Sequence, residues 1–428
     1  VLSPGLRKDT DLRRSLAAHA SQHLSYLGLE SGDHIAGWGL KRSGRLAQSL
    51  APLIGRSPLF LEDGFLRSIG RRTQRLSILM DDLAPHYRAD RESRLERLIK
   101  DGADETCLQR ARRVRDRWVK TGASKYNGRH DYDGELPENF VLVLDQVRGD
   151  LSLTHSGVGD PELALRHALE AALCENPGMD IVLKTHPDSA ITGHGVRTPQ
   201  GGAIAASDRL LHIETPCHPV RLIRRARSVY TVSSQAGFEA LLHGKSVRCF
   251  GLPFYAGWGL TEDDIPCPDG RRSSTRPGVS TLVHAALVRY PLYIDPESGA
   301  KQQIEDALEL VLAHRRILSR VPRDADRSTL SPRKRARLRR LLPDQTPGSG
   351  DGHLLWGDRP AEPHGPDIGT DQDPARITRI EDGFLRSLGL GAAMAEPVSW
   401  VFDDLGIHFD PTRPSRLDWI LEGAPFED

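Results

Sequence analysis

A seven-residue sequence occurs twice in this chain and restricts its fold more than any other feature. The letters EDGFLRS stand at residues 62–68 and recur without a change at residues 381–387. The flanking sequence also matches, at 81–83 and 403–405, at His86 and His408, and at 93–95 and 415–417. This period is too long for a solenoid repeat and indicates duplication of a whole module. Because the sequence ends soon after the second copy begins, we expect that copy to be truncated.

The sequence between the two copies alternates between short apolar runs and an amphipathic stretch. Residues 141–144, 180–184, 228–232 and 247–251 are typical of buried strands, and residues 161–175 have the apolar periodicity of a helix. Such alternation predicts parallel sheets that are covered by helices on both faces. We therefore expect an α/β fold with two Rossmann-like lobes, followed by the truncated second module.

The predicted domain boundaries follow from these patterns. The first lobe covers residues 1–140, and the second lobe covers residues 141–300. A basic linker over residues 301–350 ends in a stretch rich in Pro, Gly and Ser. The second module begins at residue 351 and extends to residue 428.

The predicted linker holds a concentration of positive charge. Between residues 315 and 340 there are eleven Lys or Arg side chains and two acids, Asp324 and Asp326, although the whole chain has no net charge. One interpretation is a solvated linker helix, and the other is attraction to an anionic membrane surface. Aromatic residues are absent from this run, which disfavours nucleic acid as a partner.

The composition excludes several classes of protein. With 38% hydrophobic and 27% charged residues, the chain is neither disordered nor collagen-like. No apolar run approaches the roughly 18 residues that span a bilayer, and no secretory signal follows Val1. The five cysteines have no CxxC spacing, which argues against disulfides and structural zinc and fits a reducing compartment. We expect a cytoplasmic protein and a trimmed or partial chain.

Polar side chains follow the predicted strands at the sheet edge where α/β folds bind ligands. Asp150 follows the strand at 141–144 and could act as a nucleophile or base, or only cap the next turn. After the strand at 180–184, Pro187 favours an extended backbone at His186. A histidine so placed could donate to a phosphate oxygen or have a purely structural role.

Two further segments are candidate binding elements. Ser233 and Ser234 follow a strand and open a helix, where free N–H groups and the helix dipole favour an anion, although ordinary capping is the alternative. In the repeated segment, Arg67 could bind a substrate carboxylate bidentately or form a salt-bridged turn with the adjacent acids. The sequence contains neither of two common nucleotide-binding motifs, the Walker loop and the GxGxxG fingerprint. It also contains no HExxH motif and no His/Cys cluster, so we expect no metal site.

Taken together, these motifs resemble those of the bacterial capsule β-Kdo transferases, which build a linker of the acidic sugar Kdo between capsular polysaccharide and its lipid. The resemblance rests on the repeated EDGFLRS and on DQVRGDLS at 145–152, KTHPD at 184–188, SSQAGFEALLHGK at 233–245 and CFGLPFYAGWGLTEDD at 249–264. It covers nearly all of residues 30–295 and again residues 353–420. Proteins of that family are similar in carrying two transferase modules in one polypeptide, which would explain the repeat.

The resemblance implies a retaining transferase of modified GT-B fold that uses CMP-β-Kdo as donor and needs no metal or other cofactor. The acceptor would be a phosphatidylglycerol-linked Kdo glycolipid at the cytoplasmic face of the inner membrane. The first lobe would bind this acceptor and the second lobe the nucleotide sugar. Capsule assembly and export proteins would be further partners, and the basic linker would contact the anionic membrane peripherally. Nucleic acid is not expected as a partner.

The resemblance also suggests roles for single residues. It places the nucleophile at Asp150, and double displacement then needs an acid/base, for which Glu62 is our candidate. Arg67 or Arg148 would neutralise the carboxylate of Kdo, and Arg67 with Asp63 would contact that carboxylate or the acceptor. The predicted donor-binding residues are Gln146, Arg148, Lys184, His186, Pro187, Ser233, Ser234, Gln235 and Glu239, the last of these toward the ribose hydroxyls.

Two alternatives stay open at this point. One is a different CMP- or UDP-sugar transferase on the same two-lobed scaffold. The other is a non-catalytic partner in capsule assembly or export that derives from a transferase. The sequence also leaves open which linkage the first module would form.

Overall fold

A computed structural model describes residues 34–70, 75–147, 149–186, 208–272, 274–323, 325–342, 352–359, 377–386 and 399–423. The chain divides into two compact units, of which the first ends at Leu312 and the second begins at Ala313. All the candidate site residues belong to the first unit.

The described strands are β1 (His34–Trp38), β2 (Ser57–Asp63), β3 (Ser77–Asp81), β4 (Phe140–Leu144), β5 (Asp180–Lys184), β6 (Leu210–Ile213), β7 (Ser228–Thr231), β8 (Ser246–Cys249), β9 (Glu262–Asp263), β10 (Pro291–Ile294), β11 (Lys301–Gln302), β12 (His353–Trp356), β13 (Ile377–Asp382) and β14 (Trp400–Asp403). The described α-helices are α1 (Arg42–Leu50), α2 (Arg94–Asp101), α3 (Glu105–Thr121), α4 (Leu151–Thr154), α5 (Pro161–Glu175), α6 (Val220–Arg225), α7 (Gln235–Leu242), α8 (Val279–Val283), α9 (Ile304–Arg320), α10 (Pro332–Leu341) and α11 (Arg416–Leu421). None of the helices in the described ranges combines the length and the apolar character needed to cross a membrane.

The first lobe is built on a mixed sheet with the strand order β1-β2-β3-β10-β11. β1 and β2 run parallel, whereas β3 is antiparallel to both β2 and β10. The sequence predicted a parallel sheet, whereas the sheet is mixed, and the first antiparallel pair is that of β2 and β3. There the chain folds straight back, pairing Ser68 with Arg75 and joining the N–H of Gly64 to the carbonyl of Ser77. A direct return gives an antiparallel pair, because a parallel neighbour needs a longer crossover.

Strand β10 also places the lobe boundary differently from the predicted position at residue 300. It follows the second lobe in sequence but pairs with β3 in the first sheet, where Leu292 lies opposite Ile78. Leu292, Ile78 and Ala36 share one apolar cluster, and burial in that cluster draws the strand back to the first lobe. The predicted range 141–300 therefore includes a strand of the first lobe.

The second lobe has a parallel sheet with the order β6-β5-β4-β7-β8-β9. This is the doubly wound order of Rossmann-like folds. Alternate residues of β4 enter two separate apolar clusters, with Phe140 and Leu142 in one and Val141 and Val143 in the other. Burial on both faces accounts for the wholly apolar sequence of this strand. The predicted α/β class with Rossmann-like lobes is thus confirmed.

The two lobes of the first unit pack together around Phe65, which belongs to the repeated segment. Phe65 is 1% exposed, and its ring centroid lies 4.7 Å from that of Phe254 and 6.2 Å from that of Phe238 in the second lobe. The apolar part of the repeated segment is therefore buried under the second lobe. This packing fixes the neighbouring polar residues of the segment at the junction between the lobes.

The second unit repeats the pairing of the first three strands in β12, β13 and β14. β12 is parallel to β13, and β14 is antiparallel to it, as in β1, β2 and β3. The hydroxyl of Ser77 donates to the carbonyl of Leu66, and the hydroxyl of Ser399 donates to that of Leu385 in the same way. The repeat seen in the sequence thus extends to single hydrogen bonds.

The two copies differ in how much of the repeated segment is covered. Phe384 and Leu385 are 75% and 81% exposed, whereas the matched Phe65 and Leu66 are buried. Within the described part of the second unit, no strand or helix corresponds to an element of the second lobe.

Residues 301–350, predicted as a basic linker, are folded over much of their length. They contain β11, α9 and α10, and β11 pairs with β10 of the first sheet. Leu318 and Leu338 pack with Leu354 and Ile380 in the core of the second unit. Apolar residues at helical spacing thus place much of this segment inside the folded units rather than in a linker.

Candidate active site between the two lobes

The carboxyl ends of β4, β5 and β7 meet where the strand order of the second sheet reverses. β4 is hydrogen-bonded to β5 on one side and to β7 on the other, and such a switch point opens a crevice. Gln146 Oε1 accepts the N–H of Ser233 at 2.8 Å, and Gln146 Nε2 donates to Ser233 Oγ at 3.1 Å. Both side chains are buried and fix two strand ends to each other, and their contact with a donor stays a prediction. Arg148 and Pro187, also predicted to bind the donor, lie outside the described residues.

Lys184 and His186 lie at the end of β5, as the sequence predicted. The backbone N–H of His186 donates to Asp145 Oδ2 at 3.4 Å, which joins the ends of β4 and β5. Lys184 Nζ donates to the carbonyl of Thr185 at 2.7 Å, and burial lowers the pKa of its ammonium group. The structure therefore brings both residues to the crevice at the switch point.

Helix α7 begins at the same crevice, directly after β7. Ser234 caps the helix, because its Oγ accepts the N–H of Ala236 at 3.3 Å. The hydroxyl of Tyr255 donates to the carbonyl of Ser234 at 2.6 Å and holds this turn in place. Gln235 reaches the first lobe, where its Nε2 donates to the carbonyl of Phe65 at 2.7 Å. A helix N-terminus in this position favours an anionic group, while Gln235 ties the helix to the other lobe.

Glu239 lies one turn further along α7 and is 1% exposed. Its Oε1 accepts the backbone N–H of Lys125 at 3.0 Å and the side-chain amide of Gln235 at 3.2 Å. Burial raises the pKa of this carboxyl to about 7. The carboxyl group thus fastens α7 to the loop that carries Lys125, and its contact with ribose hydroxyls stays a prediction.

Glu62, the predicted acid/base, lies in β2 and faces Tyr87. The hydroxyl of Tyr87 donates to Glu62 Oε1 at 2.9 Å and accepts the N–H of Leu40 at 3.0 Å. Gly39 leaves room for the carboxyl group, since a Cβ at that position would lie 1.7 Å from Oε1. Burial raises the pKa of Glu62 to about 7, although the Tyr87 hydrogen bond and the charge of Lys125 lower it. The group can therefore take up or release a proton near neutral pH.

Asp150, the predicted nucleophile, is exposed at the N-terminus of α4. Its Oδ1 accepts the N–H of Ser152 at 2.8 Å, so it also caps this short helix. The charges of Asp150 and Glu62 raise the pKa of the Tyr87 hydroxyl and the pKa of the Lys125 ammonium group. Burial adds to the rise at Tyr87 and opposes the rise at Lys125. Two carboxylates from different lobes therefore act on the same pair of side chains.

Arg67 and Asp63 form the ion pair that was the alternative to substrate binding. Arg67 Nε lies 2.8 Å from Asp63 Oδ2, and Arg75 Nε lies 3.3 Å from Oδ1. Burial raises the pKa of Asp63, but the two guanidinium groups outweigh it and lower this pKa overall. Arg67 is 7% exposed and also lies over the ring of Tyr126. The pair stabilises the repeated loop, and its contact with a substrate carboxylate stays a prediction.

The sequence did not single out three side chains of this site. Tyr87 and Lys125 act on the carboxyl groups, and the ring of His86 lies beside that of Tyr87. His86 packs edge-on against Phe65, with ring centroids 5.0 Å apart. Burial lowers the pKa of His86 to about 3, so its ring is neutral at pH 7. The duplication could have drawn attention to His86, because His408 occupies the matched position in the second copy. Lys125 carries no such signal.

One protein family matches most of the chain, in one range of each unit. The family described as "Capsule polysaccharide biosynthesis protein" matches residues 105–293 and 352–426. The chain belongs to this family. The resemblance that the motifs indicated is thus confirmed at the level of the family.

Two curated proteins are similar to the chain. The chain is 32% identical over 465 residues to the capsule polysaccharide modification protein LipA of Neisseria meningitidis serogroup B, an alignment that covers all of the chain and 63% of LipA. It is 34% identical over 258 residues to the lipopolysaccharide-processing protein LpsZ of Rhizobium meliloti, covering 58% of the chain and 57% of LpsZ. The chain therefore spans less than two thirds of the length of these curated relatives.

Two solved structures share the fold. The β-Kdo 2,4 transferase of KpsC from Thermosulfurimonas dismutans superposes with a TM-score of 0.64 and 35% identity, covering 73% of this chain and 97% of that structure. The β-Kdo 2,7 transferase of the same KpsC has a TM-score of 0.50 and 27% identity, covering 65% of this chain and 84% of that structure. Both likenesses support the two-lobed α/β architecture.

Proposed function

We propose that the first unit is a retaining glycosyltransferase that moves Kdo from CMP-β-Kdo to a Kdo-terminated glycolipid during synthesis of a capsular polysaccharide linker. The observation that carries this proposal is that residues of both lobes meet at Tyr87. Glu62 accepts the Tyr87 hydroxyl at 2.9 Å, and Leu151, which follows Asp150 in the sequence, packs on the apolar cluster that contains Tyr87. Retaining transfer needs one carboxylate as nucleophile and a second group to exchange a proton with the acceptor. The similarity to a β-Kdo 2,4 transferase along nearly all of its length supports the choice of donor.

Asp150 is the nucleophile in this proposal. One of its oxygens attacks the anomeric carbon of Kdo as the bond to the CMP phosphate breaks, so a glycosyl-enzyme ester forms and CMP leaves. The N–H of Ser152 binds the other edge of the carboxylate and orients it. Because the side chain is exposed at the crevice, it reaches the donor without a change of fold.

Glu62 completes the reaction as the base. It removes the proton of the acceptor hydroxyl as that oxygen attacks the ester-bound anomeric carbon and releases Asp150. A base works best when its pKa lies near the working pH, and the pKa of Glu62 is raised to about 7. Two successive inversions leave the configuration of Kdo unchanged.

The donor's charges are assigned to groups at the crevice. Lys184, His186 and the N-terminus of α7 bind the CMP phosphate and stabilise the negative charge that develops as it leaves. We assign Lys125 to neutralise the Kdo carboxylate, because the charges of Asp150 and Glu62 both raise the pKa of its ammonium group. Arg67 is already paired with Asp63, so in this proposal it stabilises the repeated loop and does not bind the substrate.

The proposal includes a place and partners. The acceptor is a phosphatidylglycerol-linked Kdo glycolipid, which requires the protein to work at the cytoplasmic face of the inner membrane in peripheral contact with anionic lipid. Other capsule assembly and export proteins are its protein partners, in keeping with the capsule family to which it belongs. No metal takes part in the proposed steps.

The test is a transfer assay on the purified protein with a CMP-Kdo generating system and a synthetic Kdo-terminated acceptor. Mass spectrometry and NMR of the product are expected to show one added, β-linked Kdo. Donor specificity is tested in parallel with other CMP-sugars and with UDP-sugars. Transfer from one of those donors and not from CMP-Kdo would overturn the donor, and neither transfer nor CMP binding would favour the non-catalytic alternative.

A further inference from the structure

Helix α1 packs on the first sheet with its smallest residues. Gly44 and Ala47 are the buried residues of this helix. A Cβ on Gly44 would lie 1.7 Å from the carbonyl oxygen of Gly39, so the two backbone segments are in direct contact. Because the inward face consists of small residues, the larger apolar side chains of this region have no place in the core.

These larger side chains face the solvent instead. Leu46, Leu50, Leu53 and Ile54 are 44%, 37%, 78% and 58% exposed. Leu46 and Leu50 lie one turn apart on α1, and Leu53 and Ile54 follow in a short 3₁₀ helix, Pro52–Ile54. In a surface helix, apolar side chains one turn apart normally face the core. Four exposed apolar side chains within nine residues of sequence are more than the scattered single ones of an ordinary surface and indicate an interaction site.

Four basic residues surround this apolar group: Lys41, Arg42, Arg45 and Arg56. The sequence contains no Asp or Glu between Gly39 and Leu61, so the local charge is entirely positive. Among the described residues, none of the four basic side chains forms an ion pair. We refer to these four residues and the four exposed apolar ones as the α1 surface.

We propose that the α1 surface is the site at which this protein docks on an anionic phospholipid bilayer. Apolar side chains that insert at the headgroup boundary, flanked by Lys and Arg, are the combination that binds such a bilayer interface. Leu53 and Ile54 are the inserting residues, because they project at a turn after the helix and are the most exposed of the four. The positive charge of the four basic residues selects anionic over neutral lipid.

The α1 surface begins next to the candidate acid/base. The charge of Lys41 lowers the pKa of Glu62, and the N–H of Leu40 donates to the hydroxyl of Tyr87. A bilayer in contact with this surface therefore lies close to the carboxyl group that would receive the acceptor hydroxyl. This argument about orientation rests on the proposed function, whereas the docking surface itself does not.

The basic segment at 315–340 fits this role less well. Lys334 lies over the ring of Trp356, with Nζ 3.2 Å from the centroid, and Arg320 donates to the carbonyl of Phe402. Five further arginines of that segment have interaction partners within the chain: Arg315, Arg323, Arg327, Arg333 and Arg337. Many of the basic side chains of that segment therefore interact with other residues of the chain, in contrast to those of the α1 surface.

The experiment is flotation of the whole chain with phosphatidylcholine vesicles, prepared with and without phosphatidylglycerol. The wild type is expected to bind the anionic vesicles. Leu53→Ser with Ile54→Ser removes the inserting residues, and Arg42→Gln with Arg45→Gln removes two charges. At about fivefold per basic residue, the second pair reduces partitioning about 25-fold. Circular dichroism and thermal unfolding check that each variant keeps the fold.

Matched controls separate this surface from general effects. Leu163→Ser removes an apolar side chain of α5 that is 55% exposed, and Arg112→Gln with Arg115→Gln removes two arginines at the same spacing on α3. These controls are expected to bind as the wild type does. The proposal is overturned if the wild type does not bind anionic vesicles, if the α1 variants bind as well as the controls, or if the variants change only self-association.

A transfer assay distinguishes a failure of docking from a failure of the proposed reaction. The α1 variants are expected to transfer Kdo to a short soluble acceptor at the wild-type rate and to lose transfer to an acceptor embedded in vesicles. If the wild type binds vesicles but transfers no Kdo, docking stands and the reaction is wrong. An equal loss on both acceptors would contradict the proposed orientation.

Discussion

The hydroxyl group of Tyr87 donates a hydrogen bond of 2.9 Å to Oε1 of Glu62. Burial raises the pKa of Tyr87, and the charge of Glu62 raises it further, so the hydroxyl keeps its proton at neutral pH. Burial also raises the pKa of Glu62 to about 7, and the hydrogen bond opposes that rise by stabilising the carboxylate. The pH at which the proposed base ionises therefore depends in part on the hydrogen bond from Tyr87.

Tyr87→Phe is expected to move this ionisation upward. Loss of a hydrogen bond to a charged group is worth about one pKa unit, so the acidic limb of the kcat/KM profile should shift by about one pH unit to higher pH. The measurement is the pH dependence of Kdo transfer in the wild type and the variant. Tyr230→Phe is the control, because Tyr230 also donates to a glutamate, Glu175, at 2.8 Å, away from the crevice. A uniform loss of rate with an unchanged midpoint would contradict the role given to Tyr87.

Asp150→Asn is expected to abolish transfer while leaving the fold intact. Asparagine caps a helix about as well as aspartate, so the free energy of unfolding should change by less than about 0.5 kcal/mol. The amide is no nucleophile, and the transfer rate should fall by roughly three orders of magnitude. Rates and urea unfolding are measured together. Asp160→Asn is the control, because Asp160 is also an exposed helix cap whose carboxylate accepts the N–H two residues further on. Undiminished transfer by the Asp150 variant would exclude it as the nucleophile.

The second sheet was the most predictable part of the fold. Its strands are buried on both faces, so their wholly apolar sequences and the polar residues that follow them stand out without a structure. Lys184, His186 and Ser233 were placed at one sheet edge on that basis, and they lie there. The antiparallel return of β3 and the late addition of β10 were not predictable, because they depend on contacts between distant segments such as Leu292 and Ile78.

The environment of the predicted site residues was less predictable than their positions. Glu239 and Gln235 were predicted to bind the donor, which stays a prediction, and the structure adds that both bind the opposite lobe, at Lys125 and Phe65. Which face of α7 meets the first lobe is a property of lobe packing, and local sequence does not encode it. Lys125 itself follows a polar helix in an unremarkable segment and became a candidate only through its charge interactions in the structure.

Gly39→Ala is expected to impair transfer without removing any functional group. Gly39 has a φ of +37°, and an added Cβ would collide with the carboxyl group of Glu62. The strain of the backbone costs about 1–2 kcal/mol, and the displaced carboxyl group loses its position at Tyr87. Gly55→Ala is the control, since Gly55 has a φ of +66° but open space around its Cβ position. Both variants should lose stability in thermal unfolding, and only the first should lose transfer to a soluble acceptor. Equal activity in the two variants would refute this role of Gly39.

Glu239→Gln is expected to change how stability depends on pH. The pKa of Glu239 is about 7 in the folded protein and 4.5 ordinarily. Between these values the folded protein holds a proton that the unfolded chain releases, so the free energy of unfolding falls as the pH rises from about 4.5 to 7. A shift of this size corresponds to about 3 kcal/mol at most. The glutamine has no proton to lose and still offers Oε1 to the N–H of Lys125. The stability of the variant relative to the wild type should therefore be greater at pH 8 than at pH 5.

Urea unfolding at several pH values between 5 and 8 measures this difference. Glu62 titrates in the same range but is present in both proteins, so its contribution cancels in the comparison. Glu297→Gln is the control, because it removes a carboxyl group that is exposed rather than buried in the folded protein. If the stability of the Glu239 variant falls with pH as steeply as that of the wild type, the buried carboxyl group does not carry the titration.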